Sequence, residues 1–205
     1  MDISSHWTEV YRNKPATGVT WYQKCPSLSL NFIYETGFGC AAAIIDVGAG
    51  SSTLADYLLE GGYKNITLLD ISEHALGITR DRVREPDKIL WMVGDITEIA
   101  LPAKCYDIWH DRAVFHFLTD TESQRRYVEQ IRHALKPSGH LIIATFASDG
   151  PVKCSGLDTV RYDPAKLHGV LGAEFELIGS ATEAHVTPWN SEQNFQYCHF
   201  RFRGA

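Results

Sequence analysis

The sequence predicts an α/β fold: a mostly parallel, twisted sheet with helices on both faces and a C-terminal antiparallel hairpin. Three observations predict it. Short apolar runs alternate with helical patterns along the chain. Most runs are apolar on both sides, not at every second residue, as parallel strands covered twice require. From Phe175 onward the pattern changes to two strand-like runs joined by a turn.

The strands are expected at residues 41–46 (AAAIID), 65–70 (NITLLD), 89–94 (ILWMVG), 105–110 (CYDIWH) and 140–146 (HLIIATF). Between them, residues 51–60 place Leu54, Leu58 and Leu59 on one side and stop at Gly61-Gly62. Ser72 is suited to cap a helix reaching about residue 84, with Leu76 and Val83 inward. The run Thr119-Asp120-Thr121-Glu122 has capping-box spacing. It starts a helix with Val128, Ile131 and Leu135 on one face, ended by Pro137-Ser138-Gly139. Asp163-Pro164 opens a short helix, since proline suits a first turn. Residues 175–186 and 194–202 form the hairpin, and residues 1–40, rich in aromatics, are expected to pack over the sheet as a partly helical lid.

Composition narrows the function. The chain of 205 residues has 44% hydrophobic and 21% charged residues, which suits one globular domain. A net charge of -6 disfavours a nucleic-acid partner, which needs a basic face to release counterions. No apolar run is long enough to cross a bilayer, and the opening residues carry no apolar signal core, so no membrane association is expected. Five scattered cysteines without a Cys-x-x-Cys pair favour reduced thiols in a cytoplasm over a disulfide framework or zinc knuckle.

The informative segment is Asp46-Val47-Gly48-Ala49-Gly50-Ser51-Ser52, a strand entering a tight glycine turn before a helix. Backbone there can approach a nucleotide closely. Asp70 follows twenty residues after Gly50, at the end of the next strand, where a carboxylate accepts hydrogen bonds from ribose hydroxyls. Asp95, after the third strand, is placed for an adenine amino group. A dinucleotide site would want glycine where Thr53 stands, and Asp46 would repel a diphosphate. The same carboxylate suits a cofactor carrying an ammonium and a sulfonium.

With Gly94-Asp95 and Leu135-Lys136-Pro137-Ser138-Gly139 in order, these markers resemble the class I S-adenosylmethionine-dependent methyltransferases, from about residue 41 onward. Ser52 departs from the pattern, since many members carry a third glycine there. The resemblance implies one methyltransferase domain over residues 1–205, with a lid at 1–40 and a cofactor-binding core at 41–205. It implies S-adenosylmethionine as cofactor and S-adenosylhomocysteine as product. Gly48 and Gly50 would line the methionine and ribose side, and Asp46 would hold the amino group. Asp70 would bind the ribose, Ile71 would lie against the adenine, and Asp95 and Ile96 would flank the adenine ring. The opening His6-Trp7-Thr8-Glu9-Val10-Tyr11 is similar to the W-x-x-x-Y segment of small lysine methyltransferases and bacterial relatives. Trp7 and Tyr11 are then cofactor contacts; their i,i+4 spacing equally suits plain lid packing.

The fourth strand runs into His110-Asp111-Arg112, at the carboxyl end where a crevice is expected. His110 and Asp111 are the candidates for a general base, and Arg112 for anchoring an anionic acceptor or pairing with Asp111. The alternative is that the triplet only organises its loop by hydrogen bonds. His116 and Cys154 are expected to be packed side chains, although Cys154 could also stand near the acceptor. His185 and His199 are not expected to meet across the hairpin, and no metal site is anticipated. No Asn-Pro-Pro-Tyr signature of amide or base-nitrogen methylation is present. Two acceptors stay open, a small molecule or a protein lysine, beside a nonenzymatic cofactor-binding module.

Overall fold

A computed structural model describes residues 2–204. Nine strands form: β1 (Ala43–Val47), β2 (Asn65–Asp70), β3 (Ile89–Val93), β4 (Tyr106–Arg112), β5 (Leu135–Phe146), β6 (Lys153–Cys154), β7 (Leu157–Asp158), β8 (Phe175–Val186) and β9 (Glu192–Phe202). Seven of them make one sheet in the order β3-β2-β1-β4-β5-β9-β8, and β6 pairs with β7 alone. The pairings from β3 to β5 are parallel; β9 is antiparallel to β5 and to β8. The strand order reverses between β1 and β4, which opens a crevice at their carboxyl ends.

Six helices cover the sheet: α1 (Ile3–Asn13), α2 (Ser27–Glu35), α3 (Leu54–Glu60), α4 (Glu73–Arg82), α5 (Thr121–Ala134) and α6 (Pro164–Leu171). Because strand side chains alternate in direction, the core splits in two. Ile44, Leu68, Ile108 and Ile142 pack with Leu30 and Ile33 of α2, Leu58 of α3 and Leu76 of α4. Ile45, Val47, Trp109 and Ile143 pack on the other face with Tyr127, Val128 and Ile131 of α5 and Leu167 of α6. Each fully buried side chain of this size contributes roughly 1.5–3 kcal/mol.

Several boundaries move, each for a local reason. β1 starts at Ala43 because residues 39–41 form a 3-10 turn. α3 starts at Leu54, since Ser51 and Ser52 belong to the glycine turn and the Ser52 hydroxyl accepts the Leu54 N–H. α5 stops at Ala134, short of Pro137, and Leu135 is already extended. The residue before a proline is pushed out of the helical region, so Lys136 continues a strand. β3 is an edge strand, which leaves Leu90 and Val93 exposed despite an all-apolar run. β9 begins at Glu192, setting His185 opposite Gln193 in register. The most consequential change is at β4, which runs through Asp111 and Arg112, so the triplet is strand and its side chains alternate faces.

Ser72 and Asp163 cap α4 and α6 as expected, accepting from the N–H of Ala75 and Lys166. For α5 the cap is Asp120, not Thr119: its carboxylate accepts the Ser123 N–H at 2.9 Å. Asp120→Ala should therefore lower the urea unfolding midpoint, whereas Thr119→Ala should leave it nearly unchanged.

Candidate functional site

The parallel register of β1 and β4 builds the floor of the crevice. Asp46 lies opposite His110, and Val47 opposite Asp111. Register partners share a face, so Asp46 and His110 meet on the α2 side while Asp111 points to the α5 side. His110 Nδ1 lies 2.7 Å from Asp46 Oδ1, and its Nε2 lies 2.9 Å from the Ser29 hydroxyl. All three are buried. Asp46 Oδ2 is buried with no hydrogen-bond partner, the feature expected of a carboxylate awaiting a donor.

Asp111 is not in the crevice. Its carboxylate accepts the N–H groups of Val114 and Phe115 and the Tyr127 hydroxyl, which also accepts the Trp109 indole N–H at 3.1 Å. Burial raises its pKa to about 6 against the pull of these donors. Its position is that of a loop organiser, and the pairing with Arg112, one of two roles weighed for that residue, does not form. Arg112 instead donates to the Tyr197 hydroxyl, the Trp21 carbonyl and Glu183, with its guanidinium 4.3 Å from the Phe195 ring centre. His116 is fully buried and held neutral by burial, its pKa lowered to about 3, and stacks on Phe146. Among the described residues no group of three potential metal ligands forms. His199 lies away from His185, with its Nε2 at 2.6 Å from His140 Nδ1.

A cleft opens above the strand ends. It is lined by Trp7, Tyr11, Gly48, Asp70, Ile71, Asp95, Ile96 and Arg112, eight of the residues singled out from the sequence. A second cavity beyond Gly48, Trp21 and Arg112 holds Asp46, His110 and Ser29. Asp70 ties two turns together: its Oδ2 accepts the Gly50 N–H and its Oδ1 the Ser72 N–H. Burial raises its pKa to about 6. Each oxygen keeps a lone pair for a further donor. Asp95 accepts the Thr97 N–H and hydroxyl, which fixes its turn.

The glycine turn is shaped by what crosses it. Gly48 and Gly50 both have positive φ, and a Cβ on Gly48 would meet Val114 Cγ2 at 1.9 Å. A Cβ on Gly50 would meet the Tyr11 hydroxyl at 2.2 Å. Helix α1 reaches this point because Ser4 donates to the Ile71 carbonyl and Thr8 and Ser72 hydroxyls meet at 3.0 Å. Trp7 and Tyr11 line the cleft and pack edge-on to Trp21. Ser29, Glu183 and Tyr197 escaped the sequence reading, and nothing local marks them; Trp21 stood among the aromatics of the expected lid.

A cleft at the strand ends beside a buried, unpartnered carboxylate, on a sheet with this strand order, is the arrangement of a class I methyltransferase fold. Residues 45–143 match a family model described as a methyltransferase domain. This match, together with the fold, supports a class I S-adenosylmethionine-dependent methyltransferase. A malonyl-[acyl-carrier protein] O-methyltransferase of Halalkalibacterium halodurans is 31% identical over 111 residues, 52% of this chain and 40% of that protein. EEF1A lysine methyltransferase 2 of Danio rerio is 28% identical over 111 residues, 51% of this chain and 48% of that one. The chain thus spans less than half the length of these two relatives. The Burkholderia thailandensis 1,6-didemethyltoxoflavin-N1-methyltransferase, solved with S-adenosylhomocysteine, superposes with TM-score 0.70 at 20% identity, covering 97% of this chain and 83% of that chain.

Two outcomes follow from the buried carboxylates. Tyr127→Phe leaves Asp111 and the Trp109 N–H short of a partner and should cost on the order of 1–3 kcal/mol in urea unfolding. Asp70 and Asp111 bind protons more tightly folded than unfolded, so between pH 4 and about 6 the folded state holds more protons. Their contribution should make the cofactor-free protein more stable as pH falls from 7 toward 5, and Asp111→Asn should flatten that slope in thermal unfolding.

Proposed function

We propose that this chain transfers a methyl group from S-adenosylmethionine to a small-molecule acceptor. One observation carries the reading: the ribose, adenine and amino-group candidates line two adjoining cavities that meet at Gly48 and Arg112. The residues fit that cofactor. The unpartnered Asp46 Oδ2 suits its ammonium. When bound, the cofactor supplies a methyl group on a positively charged sulfur.

In this reading Asp70 accepts the ribose hydroxyls, Ile71 and Ile96 sandwich the adenine, and Asp95 accepts its amino group. His110 holds Asp46 in place, with both ring nitrogens taken by Asp46 and Ser29. Arg112 braces the boundary between cofactor and acceptor space. Residues 1–40 serve as the lid of a single domain, shutting out water through Trp7, Tyr11 and Trp21. A small acceptor suits a cleft covered by the chain's own aromatics. The likeness to a lysine methyltransferase favours a protein lysine as the second reading. No described helix is long and apolar enough to cross a membrane, and all five cysteines are free, which supports a reducing, cytoplasmic setting.

Calorimetry should show binding of S-adenosylhomocysteine, weakened at least tenfold by Asp70→Ala; equal affinity in the variant would remove Asp70 from the site. Protonation of Asp70 removes acceptor capacity, so affinity should fall as pH drops through about 6, by roughly tenfold per unit once below it.

A further inference from the structure

One wall of the cleft is built of rings set at steep angles to one another. Trp7 stands edge-on to Trp21 at 5.7 Å and 82°, and to Phe117 at 5.0 Å and 70°. Tyr11 meets Trp21 at 6.0 Å and 80°. All four rings line the cleft. Crossed aromatic walls attract alkylammonium groups through their ring faces.

The same cleft holds no free base among the described residues. Its titratable lining groups are Tyr11, Asp70, Asp95, Arg112 and Cys154. Asp70 and Asp95 hold backbone N–H groups at the nucleoside end. Burial, with Asp70 beside it, pushes the Tyr11 hydroxyl up, and burial pushes the Cys154 thiol up, so neither is ready to take a proton. His110 has both nitrogens engaged in the adjoining cavity. Asp111 lies on the opposite face, and His6 and His116, each with an unpartnered Nε2, are not among the lining residues. Arg112 is already ion-paired with Glu183 and braced by Tyr197, so it offers little to an anionic acceptor.

We infer that the acceptor atom is a neutral amine nitrogen. This rests on the methyltransferase reading above and narrows its substrate class. A hydroxyl or thiol acceptor needs a base to take its proton, and a carboxylate needs a free cation. An amine that enters in its neutral form, having left its ammonium proton in solvent, needs neither. Its lone pair forms the N–C bond as the S–C bond breaks and that pair returns to sulfur. The positive charge passes from sulfur to nitrogen within the same aromatic walls. The methylated ammonium sheds its proton to water after release.

The test uses the full chain with methyl-tritiated S-adenosylmethionine, a whole-cell extract, and benzylamine, phenol, thiophenol and benzoate as defined probes. Label is expected in products that survive alkali and are retained on a cation exchanger in acid. Acid-soluble products fit the small-molecule reading; acid-precipitable ones make the amine a protein lysine and overturn only that part. Label released by alkali as methanol, or found in neutral ethers or thioethers, overturns the amine inference and leaves the methyltransferase reading standing. Binding of S-adenosylhomocysteine with no label in any product overturns both. Independently, at saturating S-adenosylhomocysteine, titrations followed on the tryptophan indole N–H resonances should show tetramethylammonium binding roughly tenfold tighter than tert-butanol. Equal affinities would mean the walls do not recognise ammonium, and the inference falls.

Discussion

The parallel pairing of β1 with β4 is the constraint on which the site depends. It sets Asp46 level with His110 on one face and Val47 level with Asp111 on the other. A slip of one residue in that register would exchange faces, sending Asp111 toward the crevice and His110 into the α5 core. The two buried carboxylates therefore have opposite duties although they sit at adjacent strands. One is left with an unpartnered oxygen, and the other is saturated by the backbone and tyrosine donors that shape the following loop.

Around that floor, hydrogen bonding ties each turn to the next. Asp70 joins the glycine turn to the start of α4, and the hydroxyls of Ser4 and Thr8 join α1 to the same place. Arg112 then links β4 to Tyr197 on β9, Glu183 on β8 and the Trp21 carbonyl. The far hairpin thus helps frame a crevice that opens at the sheet's centre.

Much of this was legible in the sequence because it is local. Apolar runs bounded by turns located the strands, and a glycine turn with carboxylates at successive strand ends marked residues that line the cleft. What was not legible depends on register and on distant partners. Nothing near Ser29 indicates that it will meet His110 across the chain, and the same holds for Glu183 and Arg112. The triplet His110-Asp111-Arg112 misled for a definite reason: taken as a loop it reads as a cluster, but as strand its neighbours point apart. Asp120 beat Thr119 as the cap because Ser123 lies three residues beyond it, a choice that spacing alone left open.

The fit of Gly48 against Val114 has a consequence for how this cleft can be altered. Their side-chain space is effectively one volume shared by two loops far apart in sequence, and the left-handed backbone at Gly48 prevents that residue from taking a larger share cheaply. Enlarging Val114 narrows the approach to the glycine turn from above, and shrinking it opens a gap that Gly48 cannot fill. The two positions form a single unit for evolution or engineering, so reshaping the cleft through Val114 also reshapes the glycine turn beneath it.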